Sequence, residues 1–211
     1  MIGDNGFMLF SYPSSRHTRT ESPPHYRDYS AYKPFLRKEF EYHCVYCRMP
    51  DTYLQQVDYF SVDHYRPKSI YGTLTNVYSN LYYCCKKCND RKKSVWRKNA
   101  REFVPNPCDH WMTQHLRYEA ERVVTHSPAG KFTVELLQLN HLDRIKGRNC
   151  MLSHFELANR EIDRLLKLRK AFRKMRFWFL IRGFRFRHLK KIQADLNRMR
   201  NIRRALLGIV L

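Results

Sequence analysis

Residues 44–47 read Cys-Val-Tyr-Cys and residues 85–88 read Cys-Lys-Lys-Cys, so two cysteine pairs with the same two-residue gap stand on either side of residues 48–84. Zinc takes four thiolate or imidazole ligands in a tetrahedron, and this gap lets both sulfurs of a pair reach one ion. The N-terminus has no secretory pattern, so we expect a reducing compartment, where paired cysteines indicate a metal rather than disulfides. The sequence therefore predicts one structural Zn²⁺ ion in a closed shell that holds the fold and does no chemistry. Its ligands are Cys44, Cys47, Cys85 and Cys88.

The other cysteines lack this pair spacing. Cys84 adjoins the second pair and could substitute in it, whereas Cys108 and Cys150 are expected to be ordinary buried thiols. His43 adjoins the first pair and stays open as an alternative ligand or a supporting group.

The stretch between the cysteine pairs carries polar residues that can do chemistry. Residues 59–69 read Tyr-Phe-Ser-Val-Asp-His-Tyr-Arg-Pro-Lys-Ser, and their alternation predicts a strand that Pro67 ends. A loop containing Asn80 follows, then the second cysteine pair, and then Asn89 at the expected start of a helix. Asparagine is also a common helix cap, so a capping role for Asn89 stays open.

This order of residues resembles the HNH branch of the His-metal finger endonucleases. In that family a ββα unit, often stapled by a four-cysteine zinc site, carries an Asp-His pair, a middle Asn, and a final His or Asn just after the last cysteine. The matching residues here are Asp63, His64, Asn80 and Asn89. The resemblance covers about residues 44–93. It implies that Asn80 pins the loop and orients His64, that DNA rather than RNA is cut, and that 5′-phosphate and 3′-hydroxyl ends are left.

The same residues suit the hydrolysis of a phosphodiester. A neutral imidazole with a pKa near ~6.5 can activate water at cellular pH, so His64 is the predicted general base. Mg²⁺ (or Mn²⁺) prefers oxygen ligands, so Asp63 and Asn89 are its predicted ligands, with Asp90 open as an alternative carboxylate. Neighbours on a regular strand face opposite sides, so Asp63 and His64 reach one phosphate only if the strand bends or ends there.

The Asp-His-Tyr-Arg-Pro-Lys-Ser stretch resembles in particular the small HNH nucleases that accompany ATPases in bacterial anti-phage systems, including Septu-like and retron-linked ones. Residues 106–107 and 137–140, followed by Arg144 and Arg148, are similar to the downstream part of that subgroup. The resemblance implies a role in anti-phage defence and an ATPase partner. The chain has no Gly-x4-Gly-Lys-Ser/Thr loop of its own, so any dependence on ATP must come from the partner.

The charge of the chain points to a polyanionic partner. With 40 Lys and Arg against 19 Asp and Glu, the formal net charge is +21, which favours nucleic acid over an anionic membrane. Residues 142–211 hold half of the lysines and arginines, on helices whose basic faces either grip phosphates or are simply solvated. Five basic residues near the proposed site are predicted to hold phosphates on either side of the cut: Arg66, Lys68, Arg91, Lys92 and Lys93.

We expect an α+β protein in three parts. Residues 1–30 are a polar, extended arm with little to add to a core. Residues 31–110 are the zinc-stapled ββα nuclease core, and residues 111–211 are a β-hairpin followed by a basic helical region.

Within residues 111–211 the sequence pattern changes from strand-like to helical. Residues 122–125 and 132–136 alternate like strands around a Ser-Pro-Ala-Gly turn signal, which predicts the hairpin. Apolar residues at helical spacing then run from about Leu142 to the end, with a break expected at Gly183.

The longest apolar run, residues 177–181, is far shorter than the ~20 residues that a membrane span needs, so the chain is expected to be cytoplasmic. A second function fits the same composition, zinc site and basic helices. It is a non-catalytic, zinc-stapled basic adaptor that binds nucleic acid or assembles a complex and cuts nothing. The two functions differ in what they require of Asp63, His64 and Asn89. A nuclease needs these side chains close together, whereas a non-catalytic adaptor does not.

Overall fold

The computed structural model describes residues 9–53, 57–174 and 182–208. These residues form helices and two separate antiparallel strand pairs, so the predicted α+β class is confirmed. No helix among them is long and apolar enough to cross a bilayer. In chain order the elements are α1 (Lys33–Glu39), β1 (Phe60–His64), β2 (Leu81–Cys85), α2 (Lys86–Lys92), β3 (Leu116–Glu119), β4 (Arg122–Thr125), α3 (Pro128–Leu137), α4 (Leu142–Lys174) and α5 (Arg182–Leu206).

The centre of the fold is a ββα unit, as predicted. β1 and β2 pair antiparallel, with Asp63 opposite Tyr82 and His64 opposite Leu81. β2 is buried along its whole length, with α1 and α2 packed against it. A strand buried on both faces is apolar throughout, which fits its sequence Leu-Tyr-Tyr-Cys-Cys. α2 begins directly after β2, so the second cysteine pair joins strand and helix.

The N-terminal arm contributes to the core, contrary to expectation. Leu9, Phe10 and Tyr12 are buried in the main hydrophobic cluster, and the Tyr12 hydroxyl donates to the Tyr46 carbonyl at 2.7 Å. Further along, the Arg19 guanidinium lies over the Tyr82 ring, 4.6 Å from its centroid. Residues 9–28, the described part of the arm before the turn at residue 29, have no regular secondary structure, yet their aromatic side chains cover an aromatic core that would otherwise face water.

The predicted hairpin is wrong in its second strand. β4 pairs with β3, which precedes it, and residues 128–137 form helix α3. The Ser-Pro signal starts this helix rather than a turn, because the Ser127 hydroxyl accepts from the Gly130 N–H at 3.0 Å and Pro128 fits the first helical position. Gly130 has no substitute here, since a Cβ would overlap the His115 carbonyl.

The C-terminal region is helical, as predicted, but its end packs against the main hydrophobic cluster around the ββα unit. α4 and α5 pack together through Ile162, Leu165, Ile192 and Leu196. Beyond this contact, the Thr52 hydroxyl donates to the Ala205 carbonyl at 2.5 Å, and Leu206 is buried in the main cluster. Gly208 lies at φ 71° against the His43 ring, where no side chain fits.

The break expected at Gly183 is not found at that residue. Gly183 lies in the first turn of α5, not between two helices. The aromatic and basic residues at 176–178 fall outside the described residues, and so does the apolar run at 177–181.

Candidate active site

The two cysteine pairs meet in one cluster, as predicted. Their four sulfurs all lie within 4.8 Å of one another. A tetrahedron with Zn–S bonds of about 2.3 Å has S–S edges of ~3.8 Å, and the Cys47 and Cys85 sulfurs are 3.7 Å apart. The donor set and its spacing therefore fit zinc. The cluster ties the loop at residues 44–47 to the end of β2 and the first turn of α2.

An arginine stands beside the cluster. The Arg144 guanidinium, from the start of α4, donates through Nη1 to the Cys88 sulfur at 3.5 Å. Four thiolates around Zn²⁺ carry two net negative charges, which this cation offsets. Arg148, one turn further on, is buried and donates to the Leu139 carbonyl at 2.8 Å, so it holds the fold rather than the metal.

The other groups near the cluster are not ligands. Cys84 points to the opposite face of β2 from Cys85, so it cannot take its place. The His43 imidazole lies outside the cluster and faces the Glu41 carbonyl, at 2.5 Å from Nδ1. Of the two cysteines expected to be buried, Cys108 is half-buried and Cys150 is exposed on α4, so the expectation for Cys150 was wrong.

On the other side of the ββα unit lies a pocket of about 270 Å³. It brings together three residues that were predicted to be catalytic or metal-binding, the two members of the Asp-His pair and one from α2. The pocket also contains two lysines and a tyrosine. The residues that matter for its chemistry are Tyr29, Asp63, His64, Lys68, Asn89 and Lys93.

The His64 imidazole is held in one tautomer. Its Nε2 lies 2.9 Å from the Thr75 carbonyl, and because a carbonyl can only accept, Nε2 must carry the proton. The edge of the Tyr29 ring packs against the imidazole at 4.6 Å between centroids. Burial lowers the pKa of His64 below its ordinary value, so the ring is neutral at pH 7, with its lone pair on Nδ1. A neutral ring with a fixed lone pair is what a general base requires.

The Asp63 carboxylate already has two protein partners. It accepts from the Tyr46 hydroxyl at 2.5 Å and from the Lys92 ammonium at 3.1 Å. The strand pairing is regular up to His64, so β1 does not bend at the Asp-His pair. The strand does end at His64, which meets the other condition for a shared site, and both residues line the pocket. An ionised carboxylate has about four acceptor positions, so capacity for a cation is left. Metal binding by Asp63 therefore stays a prediction, in which a cation would share this carboxylate with the Lys92 ammonium.

Lys92 corrects the predicted set of phosphate contacts. Its side chain is 0% exposed, and its ammonium pairs with Asp63 and donates to the His64 carbonyl at 2.8 Å. A buried ammonium cannot reach a phosphate on the surface. Lys92 instead links α2 to the end of β1 and so fixes the backbone that presents His64.

This burial predicts a large effect of Lys92→Met on stability. Removing one member of a buried ion pair leaves the Asp63 carboxylate uncompensated, and we expect a loss of about 3–5 kcal/mol in the free energy of unfolding. Urea denaturation measures it. The matched control is Lys93→Met, the same change at the next residue, which is exposed. Equal stability of the two variants would contradict the assigned pair.

Asn80 clamps the loop behind His64 without touching the imidazole. Its side-chain oxygen accepts from the Arg66 N–H at 2.9 Å, and its amide nitrogen donates to the carbonyls of Arg66 and Leu74 at 3.0 and 3.3 Å. Leu74 precedes Thr75, whose carbonyl binds His64. The orienting role predicted for Asn80 would therefore act through the loop backbone.

Asn89 lies in the middle of α2, not at its start. The helix begins at Lys86, so the capping alternative is excluded. The amide nitrogen of Asn89 donates to the Ser61 hydroxyl at 3.0 Å, which leaves the amide oxygen as the atom suited to a cation. Asp90, the alternative carboxylate, is exposed and lines a different cleft, so it is not part of this pocket.

The remaining basic residues lie in three places. Lys68 and Lys93 line the His64 pocket, and Lys68 donates to the Tyr29 hydroxyl at 3.2 Å. Arg66 is exposed outside it, about 5.8 Å from the Trp96 ring centroid. Arg91 is exposed on the opposite face of α2, in the neighbouring cleft.

Tyr46 and Thr75 are parts of the site that sequence reasoning missed. Tyr46 lies inside the first cysteine pair and gave no sign that it reaches Asp63. Thr75 acts through its backbone carbonyl, which no residue type reveals.

Comparison with known proteins agrees with this geometry. The sequence model of the HNH endonuclease family matches residues 44–94, which contain the cysteine cluster and the whole His64 pocket except Tyr29.

At the level of individual proteins, the chain is similar to the Septu protein PtuB of Bacillus thuringiensis. The two are 31% identical over 129 residues, which are 61% of this chain and 48% of that protein. The chain thus spans about half the length of this curated relative. No solved structure matches the chain. The resemblance to HNH nucleases of Septu-like systems, predicted from the motifs, is confirmed.

Proposed function

We propose that this protein is a metal-dependent HNH endonuclease that hydrolyses phosphodiester bonds of DNA. The observation that carries the proposal is the His64 imidazole, held by the Thr75 carbonyl with Nδ1 as its basic atom, in one pocket with Asn89. The match of residues 44–94 to the HNH endonuclease family supports the same chemistry. DNA is preferred over RNA on the strength of the family resemblance.

In this proposal the residues in and around the pocket have separate tasks. Nδ1 of His64 takes a proton from the attacking water. Oxygen atoms of Asp63 and Asn89 would hold Mg²⁺ or Mn²⁺, which when bound neutralises charge on the phosphoryl group and the leaving 3′ oxygen. Lys68 and Lys93 at the pocket would hold the phosphate groups in place. Lys92 and Asn80 fix the backbone on either side of the base.

We further propose that the nuclease works in a bacterial anti-phage system with an ATPase partner. The similarity to the Septu protein PtuB and the Asp-His-Tyr-Arg-Pro-Lys-Ser motif support this role. The sequence has no Walker-type loop, so the partner would supply any control by ATP.

Plasmid cleavage tests the proposed chemistry. We expect supercoiled DNA to be cut in the presence of Mg²⁺ or Mn²⁺ and left intact in EDTA. Asn89→Ala should lower the rate about 10- to 100-fold at limiting Mg²⁺, with partial recovery at high Mg²⁺, because one ligand is removed. Asn201→Ala, the same change at an exposed position of α5 that does not line the pocket, is the matched control and should cut like the wild type.

The same assay separates the nuclease from the adaptor. Wild-type protein that binds DNA but cuts it with neither cation would favour the non-catalytic adaptor. An Asn201→Ala defect equal to that of Asn89→Ala would overturn the assigned ligand.

A further inference from the structure

A second cleft, of about 610 Å³, opens beside the His64 pocket between α2 and the start of α4. Lys87, Arg91 and Lys93 line one side of it and Arg144 the other, and we call it the basic cleft. Lys93 also lines the His64 pocket, so the two spaces meet at that residue. A strand of nucleic acid leaving the pocket past Lys93 would enter the basic cleft.

The cations on and just after α2 in this cleft are not paired with carboxylates among the described residues. Among the residues that the structure describes, Lys87, Arg91 and Lys93 take part in no ion pair. Lys87 and Arg91 stand four residues apart on one face of the helix, where like charges repel and cost stability. Two carboxylates, those of Asp90 and Asp143, also line the cleft, so an excess of positive charge remains. A bound anion would relieve this repulsion.

Arg144 adds an unmet hydrogen-bond donor to the opposite wall. Its Nη1 is used by the Cys88 sulfur, while its Nη2 is buried without a partner among the described residues. Buried donors are almost always paired, and an orphan costs about 1–3 kcal/mol. The Arg144 side chain as a whole lines the cleft, and a phosphate oxygen is a strong acceptor for a guanidinium.

We infer that the basic cleft binds backbone phosphates of the DNA strand on one side of the cut, and that Lys87, Arg91 and Arg144 are the residues that hold them. This inference rests on the proposed function, since it assigns a path to the DNA that the His64 pocket would cut. It adds Lys87 and Arg144 to the phosphate-binding residues and places the phosphate that Arg91 holds in the basic cleft rather than in the His64 pocket.

The proposed path of the DNA through the basic cleft can be tested by DNA binding. We would use the His64→Ala protein in EDTA, so that nothing is cut. The probes are fluorescent DNA duplexes of increasing length, followed by anisotropy. Lys87→Gln with Arg91→Gln is the cleft variant, and zinc content and the melting curve verify its fold. The matched control is Arg117→Gln with Lys131→Gln, which removes the same charge from exposed positions that line neither space.

For the cleft variant we expect affinity for the longer duplexes to fall at least 10-fold, while the shortest duplexes bind almost unchanged. The slope of log K against log salt should flatten by ~1–2, because each phosphate that the protein no longer neutralises lowers the slope by about 0.9. The control should shift both quantities far less. Equal effects in the two double variants would overturn the cleft and leave the nuclease proposal standing. Failure of the wild type to bind or cut DNA would overturn both.

Discussion

Cys44→Ser is expected to abolish the cooperative unfolding transition of the protein and its zinc content together. The apparent free energy of zinc binding at a four-ligand structural site is about 10–16 kcal/mol, which matches or exceeds the ~5–15 kcal/mol stability of a whole domain. A hydroxyl in place of one thiolate forfeits much of that energy. Thermal unfolding followed by circular dichroism, with metal analysis of the purified protein, measures both quantities.

The matched control for this prediction is Cys150→Ser. It is the same change of one atom, at an exposed thiol on α4 outside the cluster, and should leave zinc content and melting unchanged. A zinc-free Cys44→Ser protein that melts like the wild type would show that the four sulfurs do not hold the fold.

The zinc cluster also helps to position the proposed active-site residues, because the same strands and helix carry both. Cys85 ends β2, whose partner β1 carries His64, and Cys88 immediately precedes Asn89 in α2. Movement of the cluster would therefore shift Asn89 relative to Ser61, its partner on β1. We expect a protein with a damaged cluster to lose Mg²⁺-dependent cutting even where part of it remains folded.

The ββα unit could be predicted because its signals are local. The spacing within each cysteine pair and the alternation ahead of Pro67 each depend on a few adjacent residues. The prediction of a second hairpin strand at residues 132–136 was wrong for a related reason. Alternation over five residues is weak evidence, and the Ser127 cap with Pro128 outweighs it once the chain can form a helix.

The site was harder to predict because its contacts join distant parts of the chain. Lys92 stands in a run of basic residues that reads as a solvated surface, and only the fold shows that it is buried against Asp63. The same holds for Tyr46, whose hydroxyl reaches Asp63 across two elements. Residue type predicts which groups can do chemistry, whereas burial and pairing depend on the tertiary structure.

His64→Ala is expected to slow DNA cleavage about 10²- to 10⁴-fold, the range that a general base contributes, or ~3–5 kcal/mol in the barrier. DNA affinity in EDTA should stay within a few-fold, because His64 makes no charged contact in its neutral form. The matched control is His126→Ala, the same deletion at an exposed imidazole that lines neither the pocket nor the basic cleft. Rates of plasmid cleavage under Mg²⁺, with DNA binding measured in parallel, check the prediction.

Chemical rescue distinguishes a missing base from a disturbed fold. Removing the side chain of His64 leaves space beside the Thr75 carbonyl, which can accept a hydrogen bond from added imidazole as it does from Nε2. We expect imidazole in solution to restore part of the cutting by His64→Ala and none of the loss in Cys44→Ser, since a small base cannot rebuild a zinc site. Cutting by His64→Ala at the wild-type rate, in protein free of contaminating nuclease, would remove His64 from the mechanism and require another base in the pocket.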